Sequence, residues 1–169
     1  MTELSIVEFG RLAPVIDTFA AVVWPQPRER MAAIAERLGW DVRRDSDSGL
    51  TADTGFAVTP SAARALYDSG EIGEVTVSLT DRVLNMDAAA RRAMLVAIES
   101  VESGLSELLG RPVIRGDGER APVTWDLSNG GRVSVAVSGG AVRLTIVQKR
   151  YADIERAEQR LRQRGGAFG

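Results

Sequence analysis

Between residues 11 and 23 the apolar positions Leu12, Val15, Ile16, Phe19 and Val22 recur at helical spacing, which predicts a first helix with Pro14 in its first turn. "WPQP" at 24–27 interrupts that period, and a second helix over 28–38 carries Met31, Ile34, Ala35 and Leu38 on one side before Gly39 stops it. The period then shortens to two. Trp40 and Val42 alternate with Asp41 and Arg43; after the turn "DSDSG", Leu50, Phe56 and Val58 face one way and Thr51, Asp53 and Gly55 the other. Val75, Val77 and Leu79 predict a third strand. Residues 87–109 return to helical spacing, with Met94, Ile98, Val101, Leu105 and Leu108 in one stripe, Asp87 as N-cap and Gly110 as stop. At 1.5 Å per residue this helix is about 33 Å long, enough to cross a sheet. Three more alternating runs follow: Val123, Trp125 and Leu127; Val133, Val135 and Val137; Val142, Leu144 and Ile146. "SNGGR" and "SGGA" turn the chain between them. A last helix over 150–164 places Tyr151, Ile154, Ala157 and Leu161 at helical spacing. About six one-sided strands and a long striped helix need each other for burial. The expected fold is therefore α+β: a two-layer sandwich in which both groups of strands join one mainly antiparallel sheet, packed by the long central helix, with helices at the N- and C-terminal ends.

The 169 residues fit one domain, expected over 1–164 with a short tail at 165–169. A hydrophobic fraction of 44% and a charged fraction of 26% place the chain among globular proteins. The net charge of -2 argues against broad nucleic-acid binding, which needs a basic surface. No apolar run approaches a membrane span and no basic start precedes an apolar stretch, so neither a membrane partner nor a leader is expected, and the expected location is the cytoplasm.

The absence of cysteine and histidine removes thiolate metal sites, triads that use an imidazole base, and most zinc or iron centres. No cofactor or metal is expected. "DSDSG" opens like a calcium loop, but its fifth position is Gly49 and its twelfth is Phe56, where the loop needs oxygen ligands. The glycine pairs at 130–131 and 139–140 fall in hairpins rather than in a strand-to-helix phosphate loop. Carboxylates are what remains for acid–base chemistry, at Asp45, Asp47, Asp53, Asp117 and Glu119, and a solvated turn is the simpler account of each. The three tryptophans, Trp24, Trp40 and Trp125, read as core or core-edge residues, with a recognition anchor as the alternative. The arginines at 156, 160, 162 and 164 are interleaved with acids and read as a solvated helix face rather than a phosphate site.

The order "AERLGWDV", "GLTADTGFAV", "VTVSLTD", "LSELLGRP", "VTWDLSNGGRVSVAV" and "VRLTIV", from about residue 30 to residue 148, resembles a family of small actinobacterial proteins encoded near type VII secretion or toxin genes. It is also similar to immunity factors that neutralise NAD-hydrolysing toxins of the tuberculosis necrotizing toxin type. These motifs are structural, so the resemblance implies a role and carries no catalytic residues. It implies a non-enzymatic antitoxin that binds a cognate secreted toxin and blocks its active site. The rival is a chaperone or adaptor that holds a type VII secretion substrate; a small carboxylate enzyme ranks behind both. The residues expected to meet such a protein partner are Asp45, Asp47 and Asp53, an acidic patch able to imitate an anionic ligand, and Arg115, Asp117 and Glu119 of the "RGDGER" loop.

Overall fold

The computed structural model describes residues 3–116 and 121–166. A helix followed by a four-strand meander occurs twice. The first unit holds α1 (Phe9–Ala20), a single 3-10 turn (Arg28–Arg30), α2 (Met31–Arg37), and then β1 (Asp41–Asp45), β2 (Gly49–Asp53), β3 (Ala62–Asp68) and β4 (Glu71–Ser78). The second holds α3 (Ala88–Leu109), β5 (Ile114–Arg115), β6 (Val123–Asp126), β7 (Arg132–Ser138) and β8 (Ala141–Val147), and α4 (Lys149–Gly166) closes the chain. The strands form one antiparallel sheet of eight, in the order β1-β2-β3-β4-β8-β7-β6-β5. The two meanders join at β4 and β8, paired from Glu74↔Val147 to Ser78↔Arg143.

The α+β class, the single antiparallel sheet and the four helices match the expectation; the strand number does not, at eight rather than about six. The additions are β3 and β5. In β3 the alternating residues are Ala63 and Ala65, buried but too small to announce a strand, and β5 is two residues long. β2 ends at Asp53, so Phe56 and Val58 are buried from a loop rather than from a strand. α1 starts two residues earlier than its apolar period suggests, and Pro14 lies inside it.

Register carries the core from edge to edge. Ala52, Ala63, Val77, Leu144, Val135 and Val123 are successive partners across six strands, and all are buried. On this face α3 packs on β6, β7 and β8, α1 lies beside α3, and α2 covers β1 and β2. The long helix thus covers one meander, and α2 covers the outer strands of the other. α1 and α3 approach closely at Gly104, where a Cβ would sit 2.5 Å from the Phe9 ring. α3 begins at Asp87, whose carboxylate accepts from the Ala90 N–H at 2.8 Å, and ends at Gly110, with φ at 88°. The Gly110 carbonyl accepts from the Trp125 indole at 3.0 Å, which ties the helix end to β6. Asn129 does more than turn the β6–β7 hairpin: its amide donates to the carbonyls of Phe19 and Val22, both at 2.7 Å, and so fastens the end of α1 to the second meander.

The stripe on α3 is buried at Met94, Ala97, Ile98, Val101 and Leu105, whereas Leu108 is 41% exposed. Leu105→Ala and Ile98→Ala are each expected to cost about 2–5 kcal/mol in urea melts, with Leu105 the larger because it has no exposed surface. Leu108→Ala is expected to stay within about 0.5 kcal/mol.

Candidate functional site

The face of the sheet turned away from α1, α2 and α3 is polar, because strand alternation sends every second side chain there. One row of partners on it reads Arg44, Thr51, Arg64, Thr76, Thr145, Ser134, Thr124. The hydroxyls of Thr124 and Ser134 bond across strands at 2.9 Å. A neighbouring row reads Leu66, Glu74, Val147, Arg132, Asp126.

Part of this face is covered by α4. Arg132 is 2% exposed and lies between Asp126 at 2.7 Å and Glu155 at 3.5 Å, with Gln159 at 3.3 Å. Arg156 spans from Asp126 at 2.9 Å to the Gly130 carbonyl at 2.7 Å and to Asp153 at 2.8 Å. Tyr151 packs beside Gly73 and donates to Asp68. The helix therefore docks through its charged side, and Ile154 and Leu161, expected in its buried stripe, are 54% and 65% exposed. The reason is the surface it meets. The strand residues beneath it include Arg132 and Asp126, and these demand ionic partners.

The rest of the face is open. A groove of about 700 Å³ runs over β2, β3 and β4, with the 58–61 loop at one end and Arg143 of β8 on its far side. Arg43 beside it is paired with Asp41 at 3.1 Å and Asp53 at 3.4 Å. Among the described residues, Arg64 and Arg143 have no ion-pair partner, and threonine and serine hydroxyls lie between them. Neither arginine was singled out from the sequence. The signal for Arg143 is its place between Val142 and Leu144, which forces it onto the opposite face; Arg64 sits in the alanine-rich strand that the pattern conceals.

The six residues expected at a partner surface are not one patch. Asp45 and Asp47 share the β1–β2 turn: Asp45 accepts from the Tyr67 hydroxyl at 3.1 Å, and Asp47 pairs with Arg28 at 2.9 Å while its side chain stays 98% exposed. Burial first, and the Asp45 hydrogen bond second, push the Tyr67 hydroxyl well above its ordinary value. Asp53 lies at the other end of the hairpin, opposite Asp41, about 13 Å from the turn at the rise of an extended strand. Its carboxylate accepts from the Ser61 hydroxyl at 2.5 Å and the Gly55 N–H at 2.8 Å, so it pins the loop that bounds the groove. Arg115 is on β5, at the opposite edge of the sheet. It is the partner of Val123 in the core-face row, which turns it towards α3, where it pairs with Glu102. Asp117 and Glu119 lie outside the described residues.

Among the described residues no group of three or more His, Cys, Asp or Glu is placed to hold a metal ion, and no helix is long and apolar enough to cross a membrane. The shape that emerges is a sheet protein with α1, α2 and α3 over one face and, on the other, α4 over one part and a polar groove over the rest. Residues 10–148 match a family of unknown function, DUF6301, and the chain belongs to that family. No curated protein and no solved structure matches it.

Three carboxylates are held below their ordinary value of 3.8: Asp53 by Ser61, then Gly55 and Arg43; Asp68 by Tyr151, then Ser69 and Arg150; Asp153 by Lys149 and then Arg156. The unfolded chain takes up these protons before the folded one does. The stabilisation they give is whole above 3.8 and is lost as pH falls through that value towards the depressed folded ones. Urea midpoints are expected to drop between pH 5 and pH 3, and Asp53→Asn is expected to make that drop smaller.

Proposed function

We infer that this chain is a non-enzymatic binding protein whose open sheet face receives a segment of a cognate protein, as an immunity protein would when it blocks a secreted toxin. The observation that carries the reading is the groove itself: a concave polar surface, bounded by a pinned loop, with two arginines that no acid of the described chain neutralises. Such a surface favours an acidic segment, because each guanidinium can give paired, charge-assisted hydrogen bonds to a carboxylate. Two carboxylates line the groove, Asp53 and Glu74, and Asp53 is committed to Ser61, Gly55 and Arg43, which hold its pKa below the ordinary value. That suits a structural acid better than a general acid, which works best with a pKa near the operating pH. The toxin as partner, and NAD hydrolysis as its activity, rest on the resemblance of the sequence to immunity factors of that kind. The acidic turn at Asp45 and Asp47 is a second place where such a partner could touch.

The test takes the product of the adjacent gene as the candidate toxin. The wild-type chain is expected to bind it one to one in calorimetry and to suppress its NAD hydrolysis. Arg64→Glu with Arg143→Glu is expected to weaken binding by about 2 kcal/mol or more while leaving the melting temperature unchanged. Inhibition that survives this double change would take the open face out of the interface. Tight binding of a secreted helical substrate, with no effect on any toxin, would turn the reading to a chaperone.

A further inference from the structure

A second cavity opens on the helix-bearing side of the sheet, away from the groove. It has a volume of about 430 Å³ and lies between the start of α3, the 82–86 segment and the β7–β8 turn. Its walls are Val83, Met86, Met94, Leu95 and Val137, and Arg82 and Arg91 also line it. Among the described residues neither arginine has an ion-pair partner. Leu84, also on the lining, is 87% exposed, the most exposed large hydrophobic residue among the described residues.

The shape of this cavity is built in. The Arg82 N–H donates to the Thr59 carbonyl at 2.9 Å and the Val83 N–H to the Gly140 carbonyl at 2.7 Å, so one end of the 82–86 segment is fastened to its surroundings. Gly140 has a φ of 81°, and a Cβ there would strike the Val83 carbonyl; only glycine lets the segment approach the turn this closely. Met94 forms the floor and is 1% exposed, its sulfur 3.8 Å from the Thr80 hydroxyl, which donates to the Asp81 carbonyl at 2.9 Å. Beyond Val83 the segment turns Leu84 outward, where an apolar side chain has water instead of a neighbour.

We propose that this cavity binds a small amphiphile with an anionic head group, its apolar body against the two methionines and its head between Arg82 and Arg91. The volume is that of a small-molecule site, which is characteristically apolar with a few placed polar groups. It exceeds what one anchoring side chain of a protein partner would fill. Methionine walls adapt to an apolar body of variable shape. The two unneutralised guanidiniums select the head, since a carboxylate or sulfonate gains charge-assisted hydrogen bonds there and an ammonium meets like charge. A bound body would also cover Leu84. The site is on the opposite side of the sheet from the groove and stands independently of any protein partner.

Decanoate, decanol and decylammonium share one chain and differ in head group, so they separate the two parts of the site. Titrated into the full chain in a calorimeter at millimolar concentrations, decanoate is expected to bind one to one and at least about tenfold more tightly than decylammonium. Arg82→Ala with Arg91→Ala should keep the wild-type melting temperature, as both side chains are exposed. It should weaken decanoate about tenfold and leave decanol unchanged. Leu95→Trp, from a half-buried wall position, should fill the space and abolish decanoate binding; Val137→Phe serves the same purpose if the first variant melts early. Absence of decanoate binding to the wild-type chain, equal affinity for decylammonium, or decanoate affinity unaltered in a folded, filled variant would each overturn the proposal.

Discussion

The pairing of β4 with β8 is the constraint on which the rest depends. Each meander alone would expose the long edge of its last strand. Joining the two removes both edges and places the seam in the middle of the sheet. It also fixes which side chains point where. With Val77 opposite Leu144 and Thr76 opposite Thr145, the apolar row and the hydroxyl row each run unbroken from one meander into the other. A slip of one residue would put Thr145 into the core and Leu144 into water. The outer edges are handled differently. β1 carries Asp41, Arg43, Arg44 and Asp45 and a register irregularity, which discourages another strand from adding to it; β5 is only two residues long.

The seam also explains the division of the polar face. β8 runs directly into α4, so the helix starts at the end of a central strand and must lie against whatever that part of the sheet presents. It presents Arg132 and Asp126. A buried guanidinium without a carboxylate is far more costly than one with two, and α4 supplies Glu155 while Arg156 shares Asp126. The helix is held by ions on one side and left with Ile154 and Leu161 on the other. Its docking reaches β3 only at Asp68, and the uncovered rest of β2 and β3 is the groove.

Much of this was legible in the sequence, for one physical reason: where large apolar side chains are buried, periodicity reports the burial. α3 and the three strands β6, β7 and β8 are read correctly because Ile98, Leu105, Trp125, Val133 and Leu144 are both large and fully packed. Where burial is achieved by small or charged groups, the period misleads. β3 packs through Ala63 and Ala65, which are buried but small. α4 shows an apolar stripe at helical spacing, and the structure buries the opposite side, because ion pairing outweighs two aliphatic residues on a helix so rich in charge. Proximity is the other thing spacing cannot report. Asp45, Asp47 and Asp53 are close in sequence, but a hairpin holds the pair and the single residue at opposite ends, while Arg64 and Arg143, far apart in sequence, line one groove.

The acids are conspicuous in the sequence because they cluster in a turn, yet in the folded chain most of them are spent. Asp47 meets Arg28, Asp45 meets Tyr67, and Asp53 ties down its own loop. The arginines are inconspicuous because alternation scatters them, and several of them remain uncommitted on the two concave surfaces: Arg64 and Arg143 at the groove, Arg82 and Arg91 at the apolar cavity. A chain with a net charge of -2 can thus offer locally basic recesses, since net charge counts residues whereas recognition depends on which of them are left without partners. Both recesses reach the same end of the sheet, with Arg143 of β8 on one side and Val137 and the Gly139–Gly140 turn of the adjoining hairpin on the other. An anionic group is favoured in either by the same physics, and the two differ in what surrounds it: hydroxyls on the open face, thioethers and branched aliphatics beneath the helices.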